Sequence, residues 1–493
     1  MLKQATPSAV LPDRGSPTAS NAKLPLCVDL DGTLVRGDLL HEAAAGALFA
    51  DWRNAWRIPL WTLQGRAALK RQLAQRWSFD PARLPYNEEL IALVKAERDK
   101  GRRIVLTTAA DEIIARRVAD HLGLFDEIIA SDGETNLRGA RKATALCDRF
   151  GLGGFLYAGN DGSDHAVWEK ADGAVVVNAT PGVQRKAQAR DPECLVIGQR
   201  ARQLPALLRA MRPYQWVKNV FVLTPMFTSG ALRDVDAWMH TLLAVAALCL
   251  VASSIYLLND ISDIAADRAH ARKRNRPFAS GALDVLAGLA AAPLLLAAGA
   301  ALAVLSGAWI SVAVYAVLSL GYTARLKEMP LIDIFILAAL YVLRLEAGGE
   351  ASGHIVSLWL LGFSSFLFLG LALVKRVSEL QRQREAGKGR MVARRGYYVQ
   401  DIEILQMFGV GTAFASAVVL SLYVQSQAAM QIYTRPQLLW ALIPLLLFWQ
   451  CRLWLSTARG YMHDDPIVYA ARDWVSWLVF AGIVGSALAA GSG

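Results

Sequence analysis

From about residue 216 onward the sequence is a run of apolar segments, most near the ~20 residues that cross a bilayer, divided by short polar stretches. About nine segments qualify, at 216–231, 237–258, 283–304, 308–324, 331–347, 355–375, 402–424, 436–456 and 473–490, the first being short. Their basic residues collect in alternate loops: Arg268–Arg276, Arg325–Lys327, Lys375–Arg395 and Arg452–Arg472. The intervening loops carry little beyond Arg233 and Arg435. Such a bias orients a helical bundle with its charged loops toward the cytoplasm. The formal charge of +10 would by itself also suit nucleic acid or anionic lipid. Confined to alternate loops, it argues for membrane orientation and against nucleic acid. The expectation is an all-α polytopic domain over 213–493 in the inner membrane.

The chain ahead of this bundle has a different texture. Residues 1–23 are polar, rich in Pro, Ser and Ala, and lack an apolar core, so they read as a disordered tail and not as a signal peptide. Five cysteines are scattered without ligand spacing, which suggests neither a zinc site nor a disulfide scaffold. Short apolar runs at Pro25–Val28, Arg103–Leu106, Glu127–Ala130, Phe155–Gly159, Ala174–Asn178 and Cys194–Ile197 alternate with helical patterns. That alternation implies a doubly wound α/β sheet over 24–198. Residues 35–100 are helical in pattern and read as a small cap. Residues 199–212 place Leu204, Leu207, Leu208 and Met211 on one face, as an amphipathic linker helix does.

Two stretches carry chemistry. In P-L-C-V-D-L-D-G-T-L (Pro25–Leu34), a strand delivers Asp29 and Asp31 to its C-terminal edge, where open α/β sheets bind ligands. In N-D-I-S-D-I-A-A-D (Asn259–Asp267), Asp260, Asp263 and Asp267 share one face of a helix at a membrane boundary. Arg272, Lys273, Arg274 and Arg276 follow closely. Clustered oxygen ligands suit Mg²⁺, shared with substrate phosphates, and the bases suit the remaining charge of a diphosphate.

The D-L-D-G-T-L string resembles the first motif of the haloacid dehalogenase superfamily. The resemblance implies that Asp29 attacks phosphorus, that Asp31 serves as acid and base, and that Mg²⁺ assists. It further implies that Thr108, or alternatively Thr107, grips the phosphoryl group. Lys142 would be a cation against the phosphate, and Asn160, Asp161 and Asp164 would face the metal. Asn160 departs from the family, which usually has Asp there.

The membrane half resembles the UbiA superfamily of intramembrane prenyltransferases, Asn259–Asp267 being similar to its first acid-rich motif. The second motif is basic here: Y-T-A-R-L-K-E-M-P-L-I-D, ending at Asp333. Five further strings, Arg212–Asn219, Tyr341–Gly349, Lys375–Leu380, Arg394–Tyr397 and Asp464–Asp473, resemble the polyprenyl-phosphate (decaprenyl-type) phosphoribosyltransferase branch. That branch transfers 5-phosphoribose from phosphoribosyl pyrophosphate (PRPP) to a polyprenyl phosphate. The resemblance implies metal binding by Asn259, Asp260, Asp263 and Asp267. Substrate contacts would come from Lys218, Arg274, Arg276, Tyr322, Arg325, Lys327, Asp333, Arg344, Lys375 and Arg376. Arg344, inside a predicted helix, reads either as a substrate contact or as a structural partner of Glu346.

Three readings follow. In the first, the transferase makes a phosphoribosyl lipid and the N-terminal domain removes its 5-phosphate. In the second, a prenyl group passes from its diphosphate to an aromatic or other small acceptor. In the third, the N-terminal domain is regulatory and Asn160 marks lost metal binding.

Overall fold

The computed structural model describes residues 23–51, 53–229, 233–385, 396–462 and 465–491. All but the last residue of the expected tail lies outside these, as do Arg394, Arg395 and Asp464 of the quoted strings. Two compact units emerge. The first comprises residues up to Met211 together with Leu257–Ala291; the second comprises Arg212–Tyr256 and everything from Ala292.

The first unit holds a six-stranded parallel sheet of β1 (Leu26–Val28), β2 (Ile104–Asp111), β3 (Glu127–Ser131), β4 (Leu156–Gly159), β5 (Gly173–Val177) and β6 (Leu195–Ile197). Parallel strands covered on both faces read as unbroken apolar runs, and all three residues of β1 are fully buried. The order is β3-β2-β1-β4-β5-β6, so the winding reverses between β1 and β4. A crevice opens at such a reversal, beyond the strands' C-terminal ends. Val28 is in register with Leu106 on one side and Ala158 on the other, which sets Asp29 at the mouth of that crevice.

The stretch expected to be a cap divides in two. Helices Leu39–Ala50, Asn54–Leu63 and Arg66–Arg76 form a satellite around Ala43, Ala47, Trp61 and Leu73. Helix Glu88–Asp99, capped by the Asn87 side chain, instead sends Leu90, Leu93 and Val94 into the sheet's core. The linker contains an eight-residue helix, Gln203–Ala210, with Leu204 and Leu208 exposed.

Residues 257–291 belong to the membrane half by sequence but pack with the sheet domain. Arg268 makes a bidentate pair with Glu42, at 2.8 and 2.7 Å, with both side chains buried. His41 Nδ1 lies 3.0 Å from Asp284 Oδ1, and the Asp284 amide donates to Gln203 Oε1. The packing is close at Gly281 (φ +71°), where a Cβ would come within 2.9 Å of the Arg36 backbone. By contacts this stretch therefore groups with the sheet, though by sequence it continues the apolar segments.

In the second unit, apolar side chains face outward. Leu294, Val317, Phe335, Trp474 and Trp477 each expose more than half their surface, as lipid-facing residues do. Six helices among the described residues are long and apolar enough to cross a membrane: Val235–Ser262, Val285–Leu305, Leu358–Glu385, Val399–Val424, Pro436–Ala458 and Trp474–Gly491. Trp309–Ala324 is shorter, and the 21-residue Ile332–Ser352 carries Asp333, Arg344, Glu346 and Glu350. The span expected at 216–231 does not form. A 3₁₀ segment, Pro213–Leu223, and a short helix, Thr224–Thr228, replace it. Pro213 and Pro225 each start one of these pieces, and a proline cannot donate the hydrogen bond a continuous helix needs. Gly348 lets this segment lie against Ile332–Ser352, because a Cβ there would sit 2.0 Å from the Val222 carbonyl oxygen.

Candidate active sites

The crevice of the first unit is a cavity of about 840 Å³ that includes Asp29, Asp31, Lys142, Asn160, Asp161 and Asp164 in its lining. β1 supplies Asp29, whose amide donates to the Ala158 carbonyl. The chain then turns through Gly32 (φ +73°), where a Cβ would meet Asn160 Nδ2 at 2.0 Å. Only glycine fits that conformation at so close an approach. Asp31 Oδ1 accepts from the Leu39 amide at 2.9 Å, tying the second acid to the start of the cap.

Lys142 Nζ donates to Asp29 Oδ1 and to Tyr157 Oη, both at 2.8 Å. Burial pushes the Asp29 carboxyl up to about 6, against the pull of Lys142. Burial, with Asp38 and Asp29 adding repulsion, pushes Asp31 up to about 8. Lys142 is penalised by burial, yet Asp29 and Asp164 hold its ammonium above its usual value. Burial thus raises both carboxyls, and Lys142 opposes the rise at Asp29.

Asp164 differs from its expected role. Its Oδ1 accepts from Tyr157 Oη at 2.9 Å, and its Oδ2 accepts from the amides of Asn160 and Asp161 at 2.9 and 3.0 Å. A carboxylate so engaged closes the loop after β4 and has little capacity left for a metal. Asp161 is half-exposed and sits 3.4 Å from Arg138. Asn160 Oδ1 accepts from Thr33 Oγ1 at 3.3 Å. Thr108 also departs from expectation: its buried hydroxyl accepts from the Ala110 amide at 2.9 Å, and Ala109 and Ala110 line the cavity in its place. Thr107 is buried as well.

The acid-rich stretch Asn259–Asp267 lies across the end of helix Val235–Ser262, with Asp263 at the break before Ile264–Arg268. Hydrogen bonds from the Asp263 amide to Asn259 O and from the Asp267 amide to Asp263 O carry the helical path through it. Asp260 and Asp267 consequently converge. Arg276 Nη1 bridges them, at 3.0 and 2.8 Å. Burial raises Asp267 even so, with Arg276 opposing. Arg276 is thus committed to the acids it was expected to complement, and Arg274 is exposed.

In the second unit the charges are reversed. Lys218, from the 3₁₀ segment, donates to Asp465 Oδ2 at 2.6 Å, and Lys375 Nζ lies 3.8 Å from the same oxygen. Tyr341 Oη lies 3.4 Å from Asp465 Oδ1. Burial would lift the Asp465 carboxyl, but Lys218 and Lys375 outweigh it and hold the group below its usual range. Arg344 is buried between the rings of Tyr315 and Tyr341, 4.9 and 5.2 Å from their centres. Its Nε donates to Asn219 Oδ1 at 2.9 Å and its Nη2 to Tyr315 Oη at 3.1 Å. Glu346 is not its partner; the structural pairing weighed from sequence does not form.

Two other expected contacts serve the scaffold. Asp333 and Arg376 are fully buried and paired with each other; Tyr397 Oη donates to Asp333 Oδ1 at 2.6 Å and accepts from the Leu331 amide. Lys327 is buried, Tyr322 partly so, and Arg325 is exposed. Sequence reasoning missed Asp465, Asn219, Tyr157 and Lys70. Asp465 left one trace: it precedes Pro466, and an Asp-Pro step is a helix start, here confirmed by its side chain accepting from the Ile467 amide.

Both acidic sites suit magnesium by donor chemistry. Asp29, Asp31 and Asn160 share one cavity, and the raised carboxyls mark negative charge that burial has left unbalanced. Among the described residues no three His, Cys, Asp or Glu side chains stand in ligand geometry, so neither site is a preformed cage.

Comparison with known proteins finds two families in the chain, and residues 257–291 fall within the second. The UbiA prenyltransferase family matches residues 222–463, and haloacid dehalogenase-like hydrolases match 26–164. An uncharacterized protein, y4nM of Sinorhizobium fredii, is 36% identical over 464 residues, spanning 93% of this chain and 89% of that one. Nodulation protein NoeC of Azorhizobium caulinodans is 34% identical over 279 residues, 56% of this chain and 89% of NoeC. The decaprenyl-phosphate phosphoribosyltransferase of Corynebacterium glutamicum is 37% identical over 187 residues, which span 37% of this chain and 56% of that enzyme.

Proposed function

Because the chain belongs to the UbiA prenyltransferase family and carries a haloacid dehalogenase-like domain at its N-terminal side, a multi-pass membrane protein by both sequence and helices, we propose that it moves 5-phosphoribose from PRPP to a polyprenyl phosphate and then removes the 5-phosphate. The observation that carries this reading is the excess of cations around Asp465, two of them buried. Lys218, Lys375 and Arg344 gather in an apolar bundle with one carboxylate among them. Buried charge of one sign calls for a ligand of the other, and phosphate groups are that ligand. The relatives named for decaprenyl-phosphate phosphoribosyl transfer support the same donor and acceptor class.

In the transfer, a phosphate oxygen of the polyprenyl phosphate bonds to C1 of the ribose as the bond from C1 to diphosphate breaks. Diphosphate leaves with the electron pair. The acceptor is already an anion, so no strong base is needed; Lys218, Lys375 and Arg344 hold phosphate charge and orient it. Asn259, Asp260, Asp263 and Asp267 would hold Mg²⁺. In the second step Asp29 attacks phosphorus, the bond to O5 breaks, and the leaving oxygen takes the Asp31 proton. Water then cleaves the aspartyl phosphate, returning a proton to Asp31. Asp29, Asp31 and Asn160 would hold the metal there, with Asp161 within the same lining. In both steps Mg²⁺ supplies neutralisation of phosphate charge. The domain with the sheet and the charged loops would face the cytoplasm.

The test is purified full-length protein with polyprenyl phosphate and PRPP labelled in the ribose, with and without chelator. Label should enter the lipid fraction only with divalent metal. Absence of lipid-linked label would end the transferase reading, and prenylation of an aromatic acceptor from a prenyl diphosphate would select the other.

A further inference from the structure

Helix Asn54–Leu63 of the cap carries apolar residues on two opposite faces. Asn54, Ile58 and Trp61 recur at i, i+4 and i+7 and turn inward, where Trp61 packs with Ala43, Ala47 and Leu73. Trp56, Leu60 and Leu63 recur at the same spacing on the other side, and they are 74%, 58% and 84% exposed. A helix is apolar on both sides when both have apolar surroundings, and the cap core supplies only one of them. The charge around the open stripe is of one sign. Between Asp51 and Asp80 the sequence has six bases and no acid. Three of those bases flank the stripe: Arg53 and Arg66 are exposed, and Arg57, half-exposed, lies 3.6 Å from Asp51. The ties of the cap say which apolar phase is at hand. His41 of the first cap helix meets Asp284, and Gln203 of the linker helix donates to the Ala282 carbonyl. Asp284 Oδ1 also accepts from the Leu286 amide at 3.0 Å, in the first turn of Val285–Leu305. That helix is long and apolar enough to cross a membrane. The cap is thus fastened to the residues at which the chain enters lipid.

We propose that helix Asn54–Leu63 docks on the membrane surface. Trp56, Leu60 and Leu63 enter the boundary between headgroups and acyl chains, and Arg53, Arg57 and Arg66 meet the phosphates of anionic lipid. An apolar stripe edged by bases and free of acids matches such a surface in both respects. Thr62 of the same helix lines the cavity of Asp29, so the docked helix sets the rim of that cavity against lipid. A phosphate ester carried on a lipid would reach Asp29 without leaving the bilayer. The docking itself stands apart from the choice of substrate at either site.

Full-length protein with the photo-cross-linker p-benzoylphenylalanine in place of Leu60, or of Leu63, is reconstituted in vesicles of phosphatidylcholine with phosphatidylglycerol. After irradiation the adducts are identified by mass spectrometry. Leu152, 78% exposed in the turn before β4 and so at the opposite end of the sheet from the crevice, is the control position. Lipid adducts at Leu60 and Leu63 should exceed those at Leu152 by about tenfold or more, as burial of one leucine side chain gives. Phosphatidylglycerol should raise the yield about fivefold over phosphatidylcholine alone, as one base at an anionic surface does. Arg53→Gln together with Arg57→Gln should remove that increment. Equal lipid yields at Leu60 and Leu152 would overturn the docking, as would adducts to a second copy of the chain in place of lipid. A yield indifferent to phosphatidylglycerol would overturn the part given to the arginines.

Discussion

The sheet domain and the helical bundle solve opposite electrostatic problems with the same few residue types. At the end of β1, two carboxyls crowd together and one lysine attends them. Around Asp465, two lysines and an arginine crowd together and one carboxylate attends them. The first arrangement is short of positive charge and invites a metal ion. The second is short of negative charge and invites phosphate. Charge imbalance, more than residue identity, thus tells which partner a site awaits.

The strongest way to break this contrast is to remove the acid at the end of β1. Asp29→Asn should lower 5-phosphate release by about a thousandfold or more while leaving label transfer intact. The 5-phosphorylated lipid should then accumulate on chromatography, and an unchanged product mixture would refute the division of labour. Next in size, Lys218→Met should cut transfer by about 100-fold or more, with phosphatase activity on a soluble ester unaltered. Asp465→Asn sharpens the comparison through stability. It leaves buried Lys218 unopposed beside the partly exposed Lys375, at a cost of about 3–5 kcal/mol. Added diphosphate should raise the melting temperature of this variant more than that of wild type. The smallest effect concerns His41 and Asp284. The imidazole is raised above its ordinary 6.5 and the carboxyl held below its ordinary 3.8. The histidine therefore stabilises the fold below pH 6.5 and ceases to as pH rises through its folded value. The aspartate's share is present above pH 3.8 and fades as pH falls through its folded value. His41→Ala should cost under about 1 kcal/mol, more at pH 6 than at pH 9 in thermal melts.

The sheet was readable because buried parallel strands leave unbroken apolar runs, and D-L-D-G-T-L marks where the first one ends. Lys142 followed from the resemblance, and the structure sets it 2.8 Å from Asp29. What sequence concealed was competition for the same side chains. Asp164, Arg376 and Asp333 have the chemistry of ligands, yet local donors and acceptors consume them. Nothing in a linear string states that Tyr157 or Tyr397 will claim those oxygens. Asp465 was hidden for the converse reason, since its partner Lys218 lies 247 residues earlier. In the described part of 216–231 no continuous helix forms, because hydropathy counts apolar residues and does not register that Pro225 interrupts the run. Residues 257–291 continue the membrane half by sequence, yet Arg268 and Asp284 take Glu42 and His41 of the sheet domain as partners, which no linear string announces.

The Glu42–Arg268 pair joins residues 226 apart, one from each family's portion of the chain. Severing the polypeptide between those portions would strand an ion with its complement on another molecule. A genome that encodes the two portions as separate genes must have found another resident for each of these positions, and a neutral residue at one should be accompanied by a neutral residue at the other.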